Sequence, residues 1–310
     1  MANFSSLPGF VTFAKISSML SIDPKKVPVA QLHQYLLGAV GPRPIAFAST
    51  LDKEGRPNLS PFSFFNVFGS NPPILIFSPA RRGRDNTVKH TYNNSKATGE
   101  VVINVVNYDL VQQVSLSSTE YAEGVNEFVK VGLTMLKSDI VKPFRVKESP
   151  VQFECRINEI VETGSEGGAG NLVICEVLKM HIREDILDEK GYIDQHKIDL
   201  VARMGGNWYT RATPGMFEVP KPLQTLGIGV DAIAKEVRNS KYLSGNDLGK
   251  LGNVERLPTA GEVQELLDSD SRLSALVKEA GEEKLHLTAK EYLEKDDPAT
   301  AWKILLAKNV

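Results

Sequence analysis

Two segments of this 310-residue chain carry most of its potential chemistry. Pro57-Asn58-Leu59-Ser60-Pro61-Phe62-Ser63-Phe64-Phe65-Asn66 interleaves hydroxyls and amides with aromatic rings between two apolar runs. Core strands usually alternate apolar and polar residues and exclude proline. A planar aromatic ligand with polar edges suits such a surface, and so does an edge strand with a proline bulge. The second segment, Ser78-Pro79-Ala80-Arg81-Arg82-Gly83-Arg84-Asp85-Asn86-Thr87-Val88-Lys89-His90-Thr91, gathers cations, hydroxyls and a candidate helix start. These are the groups that hold a phosphate dianion. A solvated basic loop capped by Asp85 is the alternative.

Other constellations are weak. His33, His90, His181, His196 and His286 have no metal-ligand spacing with one another or with the cysteines, so no metal site is expected. Gly227-Ile228-Gly229-Val230-Asp231-Ala232 has a dinucleotide-like spacing but no apolar strand before it. Gly167-Gly168-Ala169-Gly170 lacks the Lys-Ser or Lys-Thr of a phosphate loop, and no Gly-x-Ser-x-Gly elbow occurs. Cys155 and Cys175 are read as two buried reduced thiols.

A net charge of −2 leaves no electrostatic footprint for nucleic acid or an anionic membrane. No apolar run approaches spanning length, and Met1 to Leu20, with a lone Lys15, make a poor signal peptide. A cytoplasmic globular protein is expected.

The elements that must position these residues follow from pattern. Ile45–Leu51 reads as a strand, Asp52–Pro57 as a charged hairpin turn, and the aromatic segment as one return strand ending at Asn71-Pro72-Pro73. Ile74–Phe77 is a buried strand, Asn86 to Ala97 a helix stopped by Thr98-Gly99, Glu100–Val106 a strand, and Asp109–Ser118 a helix capped by Asp109. Val151–Ile157 and Leu172–Val177 form a hairpin; symmetry about Gly167 sets Cys155 near Lys179. Many short strands with few helices suggest a hairpin-closed barrel and not a doubly wound sheet. After Pro214 the texture changes. Pro214, Pro220 and Pro222 read as a linker, and Glu262–Leu267, Ser271–Ala280 and Ala289–Leu293 show helical spacing.

Residues 40–210 resemble the flavin reductase-like family of FMN-binding split-barrel proteins. The pieces occur in that family's order. They are Arg43–Thr50; Asn58–Asn66 followed by Pro72-Pro73; Lys89-His90-Thr91 with Asn94, His90 standing where the family has Asp; Thr98-Gly99-Glu100 with Asn104; Val177–His181; and Arg203–Tyr209. Asp85-Asn86-Thr87 is a second candidate for the Lys-Asp-Thr triplet, but needs four more residues before Thr98.

The resemblance implies a mainly β fold with helices, a Greek-key split β-barrel over 1–213; the change of texture after Pro214, which the resemblance does not require, adds a helical extension over 214–310 packed on the barrel or on a dimer partner. It implies FMN at a homodimer interface, NADH or NADPH as co-substrate, and a flavin, a small molecule or an oxygenase partner as acceptor. Ser78, Arg84, Lys89 and Thr91 would hold the phosphate, with Asn86 and Thr87 in the second register. Ser60, Ser63 and Asn66, with backbone N–H groups of the same strand, would meet the ring's polar edge. Ser49, Thr50, Asn58 and Asn94 complete the cofactor set, and Phe64, Trp208 and Tyr209 would wall the pocket. Phe62, Phe64 and Phe65 must divide between pocket and core. His181 could contact the reduced ring, the nicotinamide or a substrate. The rival readings are a flavin-holding electron carrier and an oxidase of the pyridoxamine-phosphate oxidase type.

Overall fold

A computed structural model describes residues 19–219 and 226–310. The reading of the N-terminus as a poor signal peptide, and Pro220 and Pro222 of the linker, therefore lie almost wholly outside the described residues. The described chain divides into two compact units, one of Ser21–Phe217 and one built mainly from Glu218–Val310. Thr213–Gly215, with Pro214, is a 3₁₀ turn at the end of the first.

The strands are β1 (Ala46–Leu51), β2 (Pro57–Phe62), β3 (Phe65–Ser70), β4 (Pro73–Phe77), β5 (Glu100–Val105), β6 (Met135–Leu136), β7 (Arg145–Val146), β8 (Val151–Glu162), β9 (Asn171–Ile182), β10 (Val201–Arg203) and β11 (Tyr209–Arg211). Seven of them form one antiparallel sheet in the order β2-β1-β5-β8-β9-β4-β3. The aromatic segment is thus two strands, broken at Ser63-Phe64, and its halves are the two opposite edges of the sheet. Phe62 and Phe65 turn into the core with Phe77, whose ring lies 5.6 Å from that of Phe62, while Phe64 stays half-exposed. That core continues through Ala46, Ala48, Val101, Ile103, Val173 and both cysteines.

The two prolines have a physical place. Leu59, Pro57 and Pro61 share one parity of β2, and the Leu59 N–H turns away from β1 to donate to Glu127 Oε2 at 3.0 Å. Pro57 and Pro61, at the other outward positions, have no N–H to offer. Asn58, Ser60 and Phe62 point theirs at β1 by alternation. The edge therefore presents no free donor to a further strand. This corrects the expectation that backbone N–H groups of this strand meet a ligand: within β2 none is available.

The helices of this unit are α1 (Val29–Ala39), α2 (His90–Thr98), α3 (Val111–Leu116), α4 (Glu127–Val131) and α5 (Gln195–Ile198). Helix α2 starts four residues later than its pattern suggested, because Asn86 adopts a left-handed φ of 58° that no helix continues through. Gly99, at φ 71°, ends it as expected. Asp109 does not cap α3. It sits inside a 3₁₀ turn, Tyr108–Leu110, that leads into that helix.

The cysteine register also needs correction. Bulges between Glu154 and Cys155 and between Ile157 and Glu159 shift the hairpin, so Cys155 pairs with Val177 and Cys175 with Ile157, while Lys179 pairs with Glu154. Both thiols are free and fully buried, and burial pushes each well above its ordinary pKa.

The second unit holds α6 (Lys235–Arg238), α7 (Gly245–Gly252), α8 (Ala260–Ser269), α9 (Ser271–Glu279), α10 (Glu282–Leu293) and α11 (Pro298–Leu306). Reciprocal Ser244/Asp247 and Thr259/Glu262 capping boxes start α7 and α8. Its own core packs Leu251, Leu273, Leu293 and Trp302, and the Trp302 indole N–H donates to Leu251 O at 2.9 Å. The Gly227-x-Gly229 pair serves packing here: a Cβ on Gly227 would lie 2.7 Å from Gly252 O. Among the described residues no helix is long and apolar enough to cross a membrane.

The edge arrangement makes a prediction. Burial raises the Glu127 carboxyl above its ordinary value, with the Leu59 N–H bond and the His90 charge opposing. A carboxyl raised on folding binds more protons folded than unfolded. Its contribution to stability therefore falls as pH climbs from about 4.5 through the raised value. Urea unfolding across that window should show a shallower fall for Glu127→Gln than for the native protein. Glu127→Ala, which orphans the Leu59 N–H, should lose about 1–3 kcal/mol at the acid end of that window, with the deficit narrowing as pH climbs; native-like stability of the alanine variant at the acid end would refute the capping role.

Candidate functional site

A buried polar network joins β1, β2 and α2. Thr50 and Asn58 stand opposite each other in the β1–β2 ladder. The Asn58 amide donates to Thr91 Oγ1 at 2.9 Å and more weakly to Thr50 Oγ1 at 3.5 Å, and the Asn94 amide donates to Thr50 Oγ1 at 3.1 Å. Thr91 and Asn94 lie three apart, on one face of α2. All four residues are buried, so this network seats the start of α2 against the strands.

Outside it opens a cleft lined by Asn58, Ser60, Arg82, Lys89 and Thr91, with Ser117–Tyr121 and Glu127 opposite. Lys89 is the N-cap residue of α2 and supplies no side-chain cap, and the first turn holds no acidic residue. Tyr92 N–H already donates to Lys89 O, so the N–H groups of His90 and Thr91, which have no partner among the described residues, and the positive dipole end are left for another acceptor. Burial, and then the nearby Arg82 charge, push the Lys89 ammonium below its ordinary pKa, with Glu120 opposing. Uncapped N–H groups, two cations and two hydroxyls suit a phosphate monoester.

The alternative triplet is spent on the loop itself. Arg81 donates to Asn86 Oδ1 (2.6 Å) and to Asn86 O (2.8 Å), and the Asn86 amide reaches Ser165 O at 3.0 Å. Thr87 bonds Asp85 through its hydroxyl and its N–H, and accepts from Arg82 Nη1 at 2.9 Å. Arg84 sits at the rim, paired with Asp85 at 3.1 Å and with Glu120.

The remaining expected site residues lie elsewhere in the unit. Ser49 is fully buried on the ladder, and its hydroxyl has no partner among the described residues. Ser63 Oγ faces Arg43 Nε at 3.5 Å, and Phe64 meets His33 edge-on. Asn66 is exposed and accepts the Val67 N–H. Ser78 accepts the Asn171 N–H at 3.0 Å, which ties it to β9. Trp208 is 77% exposed, and Tyr209 lies under the Arg203 guanidinium. The Gly205-Gly206 pair before them allows close approach to α1, since a Cβ on Gly205 would meet Gly38 Cα at 3.2 Å.

His181 is placed away from the cleft. The register aligns it with Gln152, Asn104 and Phe47, three residues along from Thr50 and three strands across, roughly 15–20 Å by strand geometry. Its Nε2 lies 2.6 Å from Glu154 Oε1, and Glu154 also accepts N–H bonds from Asp139, Ile140 and Val141. Asp139, Glu154 and His181 approach as metal ligands would, but Lys179 already takes Asp139 at 2.5 Å and Arg145 crowds Glu154 at 3.8 Å. Sequence reasoning did not single out Arg82, Glu120 or Glu127. Arg82 stood in the basic segment as one of three arginines; the two acids had no local signal.

The chain belongs to the family of the flavin reductase like domain, whose model matches residues 39–200, just over half of its length. An uncharacterized protein of Aquifex aeolicus is 38% identical over 181 residues, 58% of this chain and 90% of that one. Among solved structures, nitrilotriacetate monooxygenase component B from Bacillus cereus superposes with a TM-score of 0.62 at 27% identity, covering 66% of this chain and all of that one. Pseudomonas fluorescens 2-nitrobenzoate 2-nitroreductase NbaA does so with a TM-score of 0.60 at 25% identity, covering 68% and 100%. The chain is thus a member of a flavin-related oxidoreductase family.

Glu154 supplies the prediction from this part of the molecule. Burial raises its carboxyl, but the three N–H donors and His181 outweigh that and hold it below its ordinary value. A depressed carboxyl contributes stability above its unfolded pKa and loses it as pH falls below about 4.5 through the folded value. Glu154→Gln should therefore be less stable at neutral pH and show a flatter acid limb in urea unfolding; an unchanged acid limb would count against it.

Proposed function

We propose that the protein is an FMN-binding oxidoreductase that takes electrons from NADH or NADPH and passes them to a flavin, a small acceptor or an oxygenase partner. The observation that carries this reading is the convergence of Lys89, Arg82, Thr91 and Ser60 on an uncapped helix start, within a chain of the flavin reductase like family. The flavin, when bound, supplies the hydride and single-electron chemistry. The protein's own residues bind and orient it. Lys89, Arg82 and the first turn of α2 neutralise the phosphate. Thr91 and Ser60 donate hydroxyls, and Asn58, which lines the cleft, reaches the sugar chain while the buried Thr50 holds its amide from behind. Ser63, Phe64 and Asn66, at the break between the edge strands, border the ring.

We further propose that the sheet is a split barrel closed by the bent strand from Pro57 to Ser70, a reading its place at both edges supports. A homodimer is supported by Val67 and Phe68, apolar and mostly exposed on the β3 edge. Residues 1–213 then form the flavin domain and 214–310 an appendage. The likeness to a monooxygenase component favours an oxygenase partner, and the likeness to a nitroreductase favours a small acceptor.

The visible spectrum of the purified protein, followed anaerobically with NADH and with NADPH, tests this. A flavin spectrum bleached by either nucleotide is expected. A colourless protein that takes up no FMN would sink the reading, and a yellow protein that neither nucleotide bleaches would leave an electron carrier. Lys89→Ala with Thr91→Val should weaken FMN binding by about a hundredfold, the loss of two charge-assisted contacts. Thr87→Ala removes one of the two acceptors that hold Arg82 Nη1, so it should weaken FMN binding by only about fivefold; if the reverse pattern is found, the phosphate lies in the other register.

A further inference from the structure

Resting on the flavin reading, we propose that Glu120 is a built-in competitor for the phosphate: a carboxylate that occupies Arg82 and Arg84 and so sets how readily the flavin exchanges. Glu120 lines the same cleft as Lys89 and Thr91. Its Oε1 lies 3.1 Å from Arg82 Nε, and its Oε2 is bonded to Arg84 Nη2. The Arg82 guanidinium is fixed from the other side, where its Nη1 donates to Thr87 Oγ1 and to Val88 O at 2.7 Å. Its Nε edge is therefore the one turned to an anion, and Glu120 takes it. Arg84, 65% exposed, is held here by two acids, Glu120 and Asp85.

A phosphate that reaches Lys89 and Arg82 meets a like charge already on its partner. Like charges at hydrogen-bond range cost binding energy, so either the carboxylate leaves or affinity falls. Glu120 is able to leave, because its side chain is 41% exposed and, among the described residues, its carboxylate accepts only from the two arginines and from no backbone N–H. Glu127, the other acid of the cleft, is not, since it is buried and committed to the Leu59 N–H. The pair therefore has divided roles: Glu127 holds the edge strand, and Glu120 trades places with the ligand's anion. A flavin held this way is retained less tightly than its cations alone would allow, which suits a protein that hands flavin on.

The test compares the native protein with Glu120→Gln and Glu120→Ala by titration with FMN, riboflavin and inorganic phosphate, at low and high salt. Thermal melting confirms that each variant is folded. Both variants should bind FMN about tenfold more tightly, with phosphate moving the same way, riboflavin unchanged, and the difference narrowing at high salt. An FMN affinity unchanged or weakened relative to riboflavin would overturn the proposal. Should none of the proteins bind either flavin, the flavin reading falls and the phosphate titration alone decides on Glu120. Phosphate affinity equal in native and variant proteins, or absent from all of them, also overturns it.

Discussion

The cleft depends on how β2 disposes of its outer backbone. An edge strand must satisfy or remove the N–H groups that face away from its neighbour, or it invites another strand. Here two outward positions are proline and the third donates to Glu127. The side chains of the same strand are thereby freed for another task. Asn58 turns to Thr91 and Thr50, and Ser60 lines the cleft. Without the Glu127 bond, α4 would keep only its apolar packing of Phe128 and Val131 with Leu59, and the cleft wall would lose its polar anchor to β2.

The electrostatics of the cleft follow from the same packing. Seating α2 against the strands through Thr91 and Asn94 brings its uncapped first turn beside Arg82 and Lys89. That concentrates positive charge where burial already disfavours it, as the lowered Lys89 pKa shows. Glu120 offsets part of this charge from across the cleft, and the Asp85–Asn86–Thr87 turn keeps the arginines aimed. The basic segment divides accordingly into a scaffold half, 81–87, and a cleft half from Lys89 onward, with Arg82 serving both.

Much of the sheet was legible in the chain. The Asp52–Pro57 turn, the β4 run, the Gly99 stop and the long hairpin each carry a local signal that tertiary contacts do not override. The failures are equally physical. The aromatic segment shows no internal punctuation at Ser63-Phe64, so its break into two edges could not be read. A bulge adds a residue without any compositional mark, so the Cys155 register was missed. Asn86 is compatible with a helix until its side chain is claimed by Arg81 and Ser165.

The sequence by itself determined the family, the antiparallel character of the first unit, the helical character of the second, and the two segments that face the cleft. Those properties reside in local pattern: turn residues, alternation, capping and ordered motifs. Only the tertiary structure decided that the aromatic strand lies at both edges, that Thr91 meets Asn58 beside Lys89 while Asn86 and Thr87 bond their own loop, and that His181, three strands across from Thr50, pairs with a buried carboxylate on the neighbouring strand. Glu120 and Glu127 joined the cleft in the same way. Each depends on partners dozens of residues distant, and chain order carries no record of which charges and amides folding will bring within 3 Å of one another.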